Sequence, residues 1–147
     1  MIPLLDLALA VAYSQMINLA ETLIWVGKPW SLKPPFPLAK GEVRNEGYHL
    51  LLAFLYVAPF VALYPAAPLR AALLATLVWL LNDVTWHLWA VDPRHHVEWL
   101  KFYFNPRDTR VVWYARFLVG KFAVTPRRML VVTLARVVVI ALTIWAL

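Results

Sequence analysis

Four apolar runs, each about as long as a bilayer is thick, constrain this chain more than any other feature. They cover roughly 3–26, 48–64, 69–91 and 129–147 of the 147 residues. A transmembrane helix needs about 20 consecutive apolar residues, because the hydrocarbon core is about 30 Å thick and a helix rises about 1.5 Å per residue. The sequence therefore predicts one domain, an all-α integral membrane protein built as a bundle of four transmembrane helices.

The composition agrees with this prediction. Hydrophobic residues make up 63% of the chain and charged residues 15%. A soluble domain has about 45–50% apolar and about 25% charged residues. The chain has no cysteine. This absence excludes disulfides, thiolate metal sites, iron–sulfur clusters, thiol nucleophiles and covalently attached c-type haem.

The basic residues indicate an orientation. Lys and Arg are concentrated in two long loops, 27–47 and 92–128, and are absent from the segment before the first run. By the positive-inside rule we expect both loops in the cytoplasm and both termini outside the cytoplasmic (plasma) membrane. A basic loop also favours anionic lipid over nucleic acid as a partner. We expect contacts with membrane lipids, a homo-oligomer or soluble partner subunits on the cytoplasmic side, and no nucleic acid.

The second long loop contains two segments that mix aromatic and basic residues. Residues 97–104 read VEWLKFYF and residues 111–123 read VVWYARFLVGKFA. Both are too short or too charged to span, so the sequence predicts one or two interfacial helices between the third and fourth transmembrane helices. The alternative for 111–124 is a broken half-helix packed against the bundle. Thr125-Pro126 is typical of a helix start, with proline at the first helical position.

Polar residues inside the apolar runs are candidate functional residues, because ionisable groups in the bilayer are costly and usually face the bundle interior. On the first helix Ser14, Asn18 and Glu21 share one face, with Gln15 beside them. Interhelical hydrogen bonding is the favoured role for Ser14 and Gln15. For Glu21 a ligand-binding role and a structural role are equally favoured.

A second set lies on the third helix and near the same side of the membrane. Asp83 and His87 are four residues apart, a spacing that allows one metal ion or a base with its orienting partner. With the predicted topology the inner ends of three helices carry ionisable residues within roughly 12 Å of the inner interface. These residues are Glu21, His49, Asp83 and His87, with Arg136 about seven residues in from the same side and Asp92, His95, His96 and Glu98 just beyond the boundary. A structural network of ion pairs is the alternative to a functional site.

The first functional hypothesis is a metal-dependent enzyme acting on a lipid or isoprenoid near the inner leaflet. Glu21, Asp83 and His87 are its candidate catalytic residues, and a zinc or iron ion suits mixed imidazole and carboxylate ligands. Arginines match a lipid phosphate through bidentate hydrogen bonds. The candidate metal ligands are Glu21, His49, Asp83, His87 and His95, and the candidate phosphate ligands are Arg94, Arg107, Arg110, Arg116 and Arg136.

Two further hypotheses need no metal-activated water. His49 and His87 lie on different helices at similar depth, which is typical of axial ligands of haem b in a haem- or quinone-binding anchor subunit of a respiratory complex. The polar face of the first helix and the Pro59 interruption of the second fit a cofactor-free transporter or assembly factor.

Overall fold

The computed structural model describes residues 3–36, 46–117 and 120–147, with the main chain alone at 46, 113–117 and 121. It is mostly helical, at 73%. The elements in chain order are α1 (Leu4–Trp25), α2 (Glu46–Leu63), α3 (Pro68–Thr85), α4 (His87–Ala90), α5 (His96–Tyr103), β1 (Trp113–Phe117), β2 (Gly120–Val124) and α6 (Pro126–Ala146). A short 3₁₀ turn, Pro93–His95, joins α4 to α5.

Three helical stretches in the described ranges are long and apolar enough to cross a membrane. They are Leu4–Trp25, Pro68–Ala90 and Pro126–Ala146. The second predicted run forms the shorter apolar helix α2, which contains Pro59. The predicted helical, membrane-compatible architecture is therefore confirmed for three of the four runs.

Helix α3 is the centre of the bundle, since it contacts α1, α2 and α6. Its buried face, including Leu74 and Val78, packs with Ala10 and Ile17 of α1 and with Phe60 of α2. The outward faces are also apolar, and large side chains on α1 and α6 are more than half exposed. Apolar side chains on both the inner and the outer faces are typical of helices that are solvated by lipid.

The helix predicted over 69–91 is interrupted near its end. Helix α3 stops at Thr85, and α4 begins at His87 after Trp86. The Thr85 hydroxyl donates to the Leu81 carbonyl at 2.6 Å, and such bonds from Ser or Thr to the preceding turn bend helices. Trp86 nevertheless keeps helical backbone angles (φ −53°, ψ −37°), and Pro68–Ala90 forms one apolar helical stretch with a local irregularity.

The prediction of a helix over 111–124 is wrong, because this segment is a β-hairpin. Strands β1 and β2 pair antiparallel, with Trp113 opposite Val124 and Phe117 opposite Gly120. Valine and aromatic residues favour strands. Gly120 has φ of 129°, a conformation that glycine adopts readily. Local strand propensity and this glycine thus outweigh the apparent amphipathic helix.

Two predictions near this hairpin are confirmed. The loop contains one short helix, α5, and its interfacial placement stays a prediction. Helix α6 starts where Thr125-Pro126 indicated: Thr125 caps it by accepting a hydrogen bond of 3.2 Å from the Arg128 amide, and Pro126 is its first residue.

The bundle has two distinguishable ends. The loop end carries the connections from α1 to α2 and from α4 to α6, and the turn end carries the short α2–α3 connection at 64–67. At the loop end the main chain of Leu32 bonds to Ala90 and Asp92 at 3.0 Å each. Trp99, Tyr103 and Met129 form a separate small core there. This packing holds α5 and the start of α6 against the end of α4.

Candidate functional site: a polar cluster in an apolar cleft

A cleft of about 1600 Å³ lies along α3, between α2 and α6. Its floor on α3 is formed mainly by small side chains, and aliphatic and aromatic side chains of α2 and α6 form the walls. Tyr103 and the hairpin line its loop end, while Tyr64 and Pro65 line its turn end. The floor residues include Ala71, Ala72, Ala75 and Thr76. The cleft thus follows nearly the whole length of the α3 span.

Glu21 is the centre of a hydrogen-bonded network in the half of the cleft near the loop end. Tyr48 of α2 donates to its Oε1, and Asn82 of α3 donates to its Oε2 at 2.6 Å. The same Asn82 amide donates to Asn18 Oδ1 at 2.6 Å, and Tyr56 donates to Asn82 Oδ1. Side chains from α1, α2 and α3 therefore meet at one carboxylate.

The network continues along α1 toward α4. Gln15 Nε2 and Asn18 Nδ2 donate to Thr85 Oγ1 at 2.8 and 2.9 Å, and Trp89 Nε1 donates to Gln15 Oε1 at 2.9 Å. The interhelical role predicted for Gln15 is confirmed. Ser14 differs, since it donates to the Val11 carbonyl of its own helix.

An ion pair lies next to this network. Arg136 of α6 donates through Nη1 to Asp83 Oδ2 of α3. The guanidinium carbon lies 3.9 Å from the centre of the Trp79 ring, a cation–π geometry. Arg136 is only 7% exposed. Its charge is therefore compensated from two sides, and this pair joins α6 to the bundle.

The predicted histidine ligands do not converge on Glu21 and Asp83. His49 lines the cleft, but the His87 ring packs edge-on against His96, with centroids 5.1 Å apart, and its Nδ1 lies 2.9 Å from the Val84 carbonyl. His95 pairs with Glu98 at 3.0 Å. Within 3–36, 46–117 and 120–147, no three His, Asp or Glu side chains form a group that could hold a metal ion. The metal and haem b stay predictions from the sequence.

The predicted phosphate ligands are also dispersed. Arg94 pairs with Asp92 at 2.7 Å and Arg110 pairs with Asp108, both outside the spans. Arg107 is exposed. The side chain of Arg116 lies outside the described residues. Among the predicted ligands whose side chains the structure describes, Arg136 alone lines the cleft.

The two surface ion pairs affect acid–base behaviour. Hydrogen bonds from the Arg94 side chain and main chain hold the pKa of Asp92 well below its usual range, and Lys33 contributes through its charge. Hydrogen bonds from Arg110 lower the pKa of Asp108 in the same way. These two carboxylates anchor their loops as anions.

The aromatic partners of the polar cluster are not among the residues predicted from the sequence. Tyr48 and Tyr56 are eight residues apart, a spacing that places them on one face of α2. That spacing was a usable signal, because a buried tyrosine hydroxyl needs a partner. A second network, at the turn end, was also missed: the Asp6 carboxylate accepts from Tyr64 and from Arg70 at 2.6 Å each.

No protein-family model, no curated protein and no solved structure matches this chain.

Proposed function

We propose that the protein crosses the cytoplasmic membrane with four helices and binds one elongated lipid or isoprenoid molecule in the cleft between α2 and α6. One observation carries this proposal: a single cleft has a long, mainly apolar part and a cluster of polar and charged groups near one end. Membrane lipids have the same division between a long apolar tail and a polar head.

The dimensions of the cleft support a long ligand. Its volume of about 1600 Å³ exceeds the roughly 300–1,000 Å³ of pockets for compact small molecules. Asn82 and Pro68 both line it, at opposite ends of α3. Their separation of 14 residues (82 − 68) corresponds to about 21 Å of helix. This distance is a large part of the roughly 30 Å hydrocarbon core.

The chemistry of the cleft supports the same ligand class. Small residues on α3 leave room for a tail, and Val57, Val61 and Val132 provide apolar walls. Glu21, Asn82 and Asp83 lie in the half near the loop end. Among the described residues, the polar lining of the other half is limited to the Tyr64 and Thr76 hydroxyls. In the proposed orientation the loop-end half faces the inner leaflet, because the basic loops are at the same end.

Blocking the cleft tests the proposal. Val132 lines the cleft and is 37% exposed, whereas its neighbour Val131 is 60% exposed and is not part of the lining. We expect Val132→Trp to lose the lipid that co-purifies with the wild-type protein in a maltoside micelle, measured by native mass spectrometry. Val131→Trp is the matched control and should keep it. Equal lipid retention in both variants, or no retained lipid in the wild type, would contradict the proposal.

A lipid-modifying activity is a second proposal, favoured by the contact between Glu21 and Tyr48. A carboxylate and a phenol that share a hydrogen bond form a possible acid–base pair beside the ligand. The test is incubation with a membrane lipid extract followed by mass spectrometry. A product made by the wild type and not by Glu21→Gln would support an enzyme; identical lipid profiles would exclude activity at this pair. A homo-oligomer or a soluble partner at the loop end stays a prediction.

A further inference from the structure

The charges along the cleft are not balanced locally. Four charged side chains line it: Glu21, Asp83, Arg128 and Arg136. Asp83 and Arg136 neutralise each other. Arg128 is exposed at the loop-end mouth, where its guanidinium donates to the Ala123 carbonyl at 2.7 Å. Of the described residues, none with a positive charge pairs with Glu21.

The partners of Glu21 stabilise an anion without neutralising it. Tyr48 and Asn82 each donate a hydrogen bond to the carboxyl group; such bonds favour the ionised form, whereas burial in an apolar cleft opposes it unless a cation is close. Neither donor carries a charge. A carboxylate in an apolar cleft attracts a cation strongly, because the surrounding dielectric is low.

Aromatic rings next to Glu21 favour the same kind of ligand. The rings of Trp25 and Tyr48 lie edge to face with centroids 5.0 Å apart, and both residues line the cleft. Aromatic faces bind ammonium groups through cation–π attraction, including quaternary ones that donate no hydrogen bond.

From this charge complementarity we infer that the cleft selects a cationic amphiphile, a single-chain lipid-like molecule whose ammonium head lies against Glu21. This inference rests on the proposed function and names the head group of its ligand. The tail follows the small residues of α3 toward Pro68, and the head lies between Trp25, Tyr48 and Glu21.

The order of charges argues against an ordinary zwitterionic phospholipid. In such a lipid the phosphate is nearer the tail and the amine is further out. A cleft complementary to such a lipid would have its basic group deeper and its acidic group nearer the mouth. Here the acidic Glu21 is the deeper group, about one turn inside the end of α1, and the basic Arg128 lies at the mouth, in the first turn of α6. A simple ammonium head at Glu21 fits this order.

The experiment compares two probes with the same alkyl chain, a trimethylammonium and a neutral alcohol, by titration calorimetry on the full-length protein in a neutral maltoside micelle. We expect the wild type to bind the ammonium probe about thirtyfold or more tightly than the alcohol. Glu21→Gln should lose this preference and keep its affinity for the alcohol. Glu98→Gln, an exposed acid outside the cleft, should leave the preference unchanged.

The outcomes separate this inference from the proposed function. If the wild type binds both probes equally, or binds the alcohol more tightly, the cation inference is overturned while lipid binding stands. If neither probe binds, or Val132→Trp does not weaken binding of the alcohol, the proposed function is overturned and the inference with it. The wild-type preference decides the question even if Glu21→Gln does not fold.

Discussion

Asn82 of α3 donates a hydrogen bond of 2.6 Å to Glu21 of α1, and this contact joins the two helices at the polar end of the cleft. Asn82 is 2% exposed. Because its amide also bonds Asn18 and accepts from Tyr56, one side chain connects three helices. The same residue thus positions the carboxylate and holds the bundle together.

Asn82→Ala should destabilise the bundle by about 1–2 kcal/mol, because it removes three interhelical hydrogen bonds and leaves partners unsatisfied. The measurement is the free energy of unfolding in mixed micelles, followed by tryptophan fluorescence. Ser14→Ala is the control. Among the described residues, the Ser14 hydroxyl bonds only within its own helix: it donates to the Val11 carbonyl and accepts from Gln15. Ser14→Ala should cost less than about 0.5 kcal/mol. Equal losses in the two variants would show that the Asn82 contacts contribute little.

The Asp83–Arg136 pair should behave as a buried ion pair. Arg136→Leu alone should cost about 3–5 kcal/mol, because it leaves the carboxylate of Asp83 without its cation. The double variant Asp83→Asn with Arg136→Leu should be more stable than Arg136→Leu. A double-mutant cycle on the free energy of unfolding measures the difference. Additive effects would mean that the two charges do not interact.

The sequence allowed the helices and the position of the polar cluster to be predicted, because both follow from local rules. A long apolar run must form a helix in lipid, where the main chain has no other hydrogen-bond partner. The spacing of Asn18 and Glu21 placed them on one face, and they do share partners on α3. The choice of those partners depends on how helices pack, which one sequence does not reveal.

Two predictions differ from the structure, and each difference has a physical cause. The sequence predicts that Asp83 and His87 share one site, but tertiary packing gives them different partners: Asp83 pairs with Arg136, and His87 contacts the Val84 carbonyl and His96. The sequence predicts a helix at 111–124 because short apolar segments without strict alternation suit both structures, whereas the structure has two paired strands there. Gly120, with its φ of 129°, favours the hairpin.

Asp92 provides a prediction for pH dependence. Its folded-state pKa is lowered by hydrogen bonds from Arg94, below the unfolded value of about 3.9. The charged form therefore stabilises the fold above that pH, and the contribution disappears as the pH falls toward the folded-state value. We expect Asp92→Asn to lower the melting temperature at pH 6, and the difference from wild type to shrink between about pH 4 and pH 2. A difference that is constant with pH would exclude a contribution from the charge.

The orientation can be tested with single cysteines, because the chain has none of its own. Thr109 lies in the connection between α5 and β1, and Ala66 lies in the turn between α2 and α3; both are exposed. If the basic loops are cytoplasmic, a membrane-impermeant maleimide should label Ala66→Cys in intact spheroplasts and should label Thr109→Cys only after the membrane is opened. The opposite pattern would reverse the orientation and move Glu21 to the outer leaflet. Labelling of both residues from outside would contradict a span formed by α3 and α4, since that span separates the two positions along the chain.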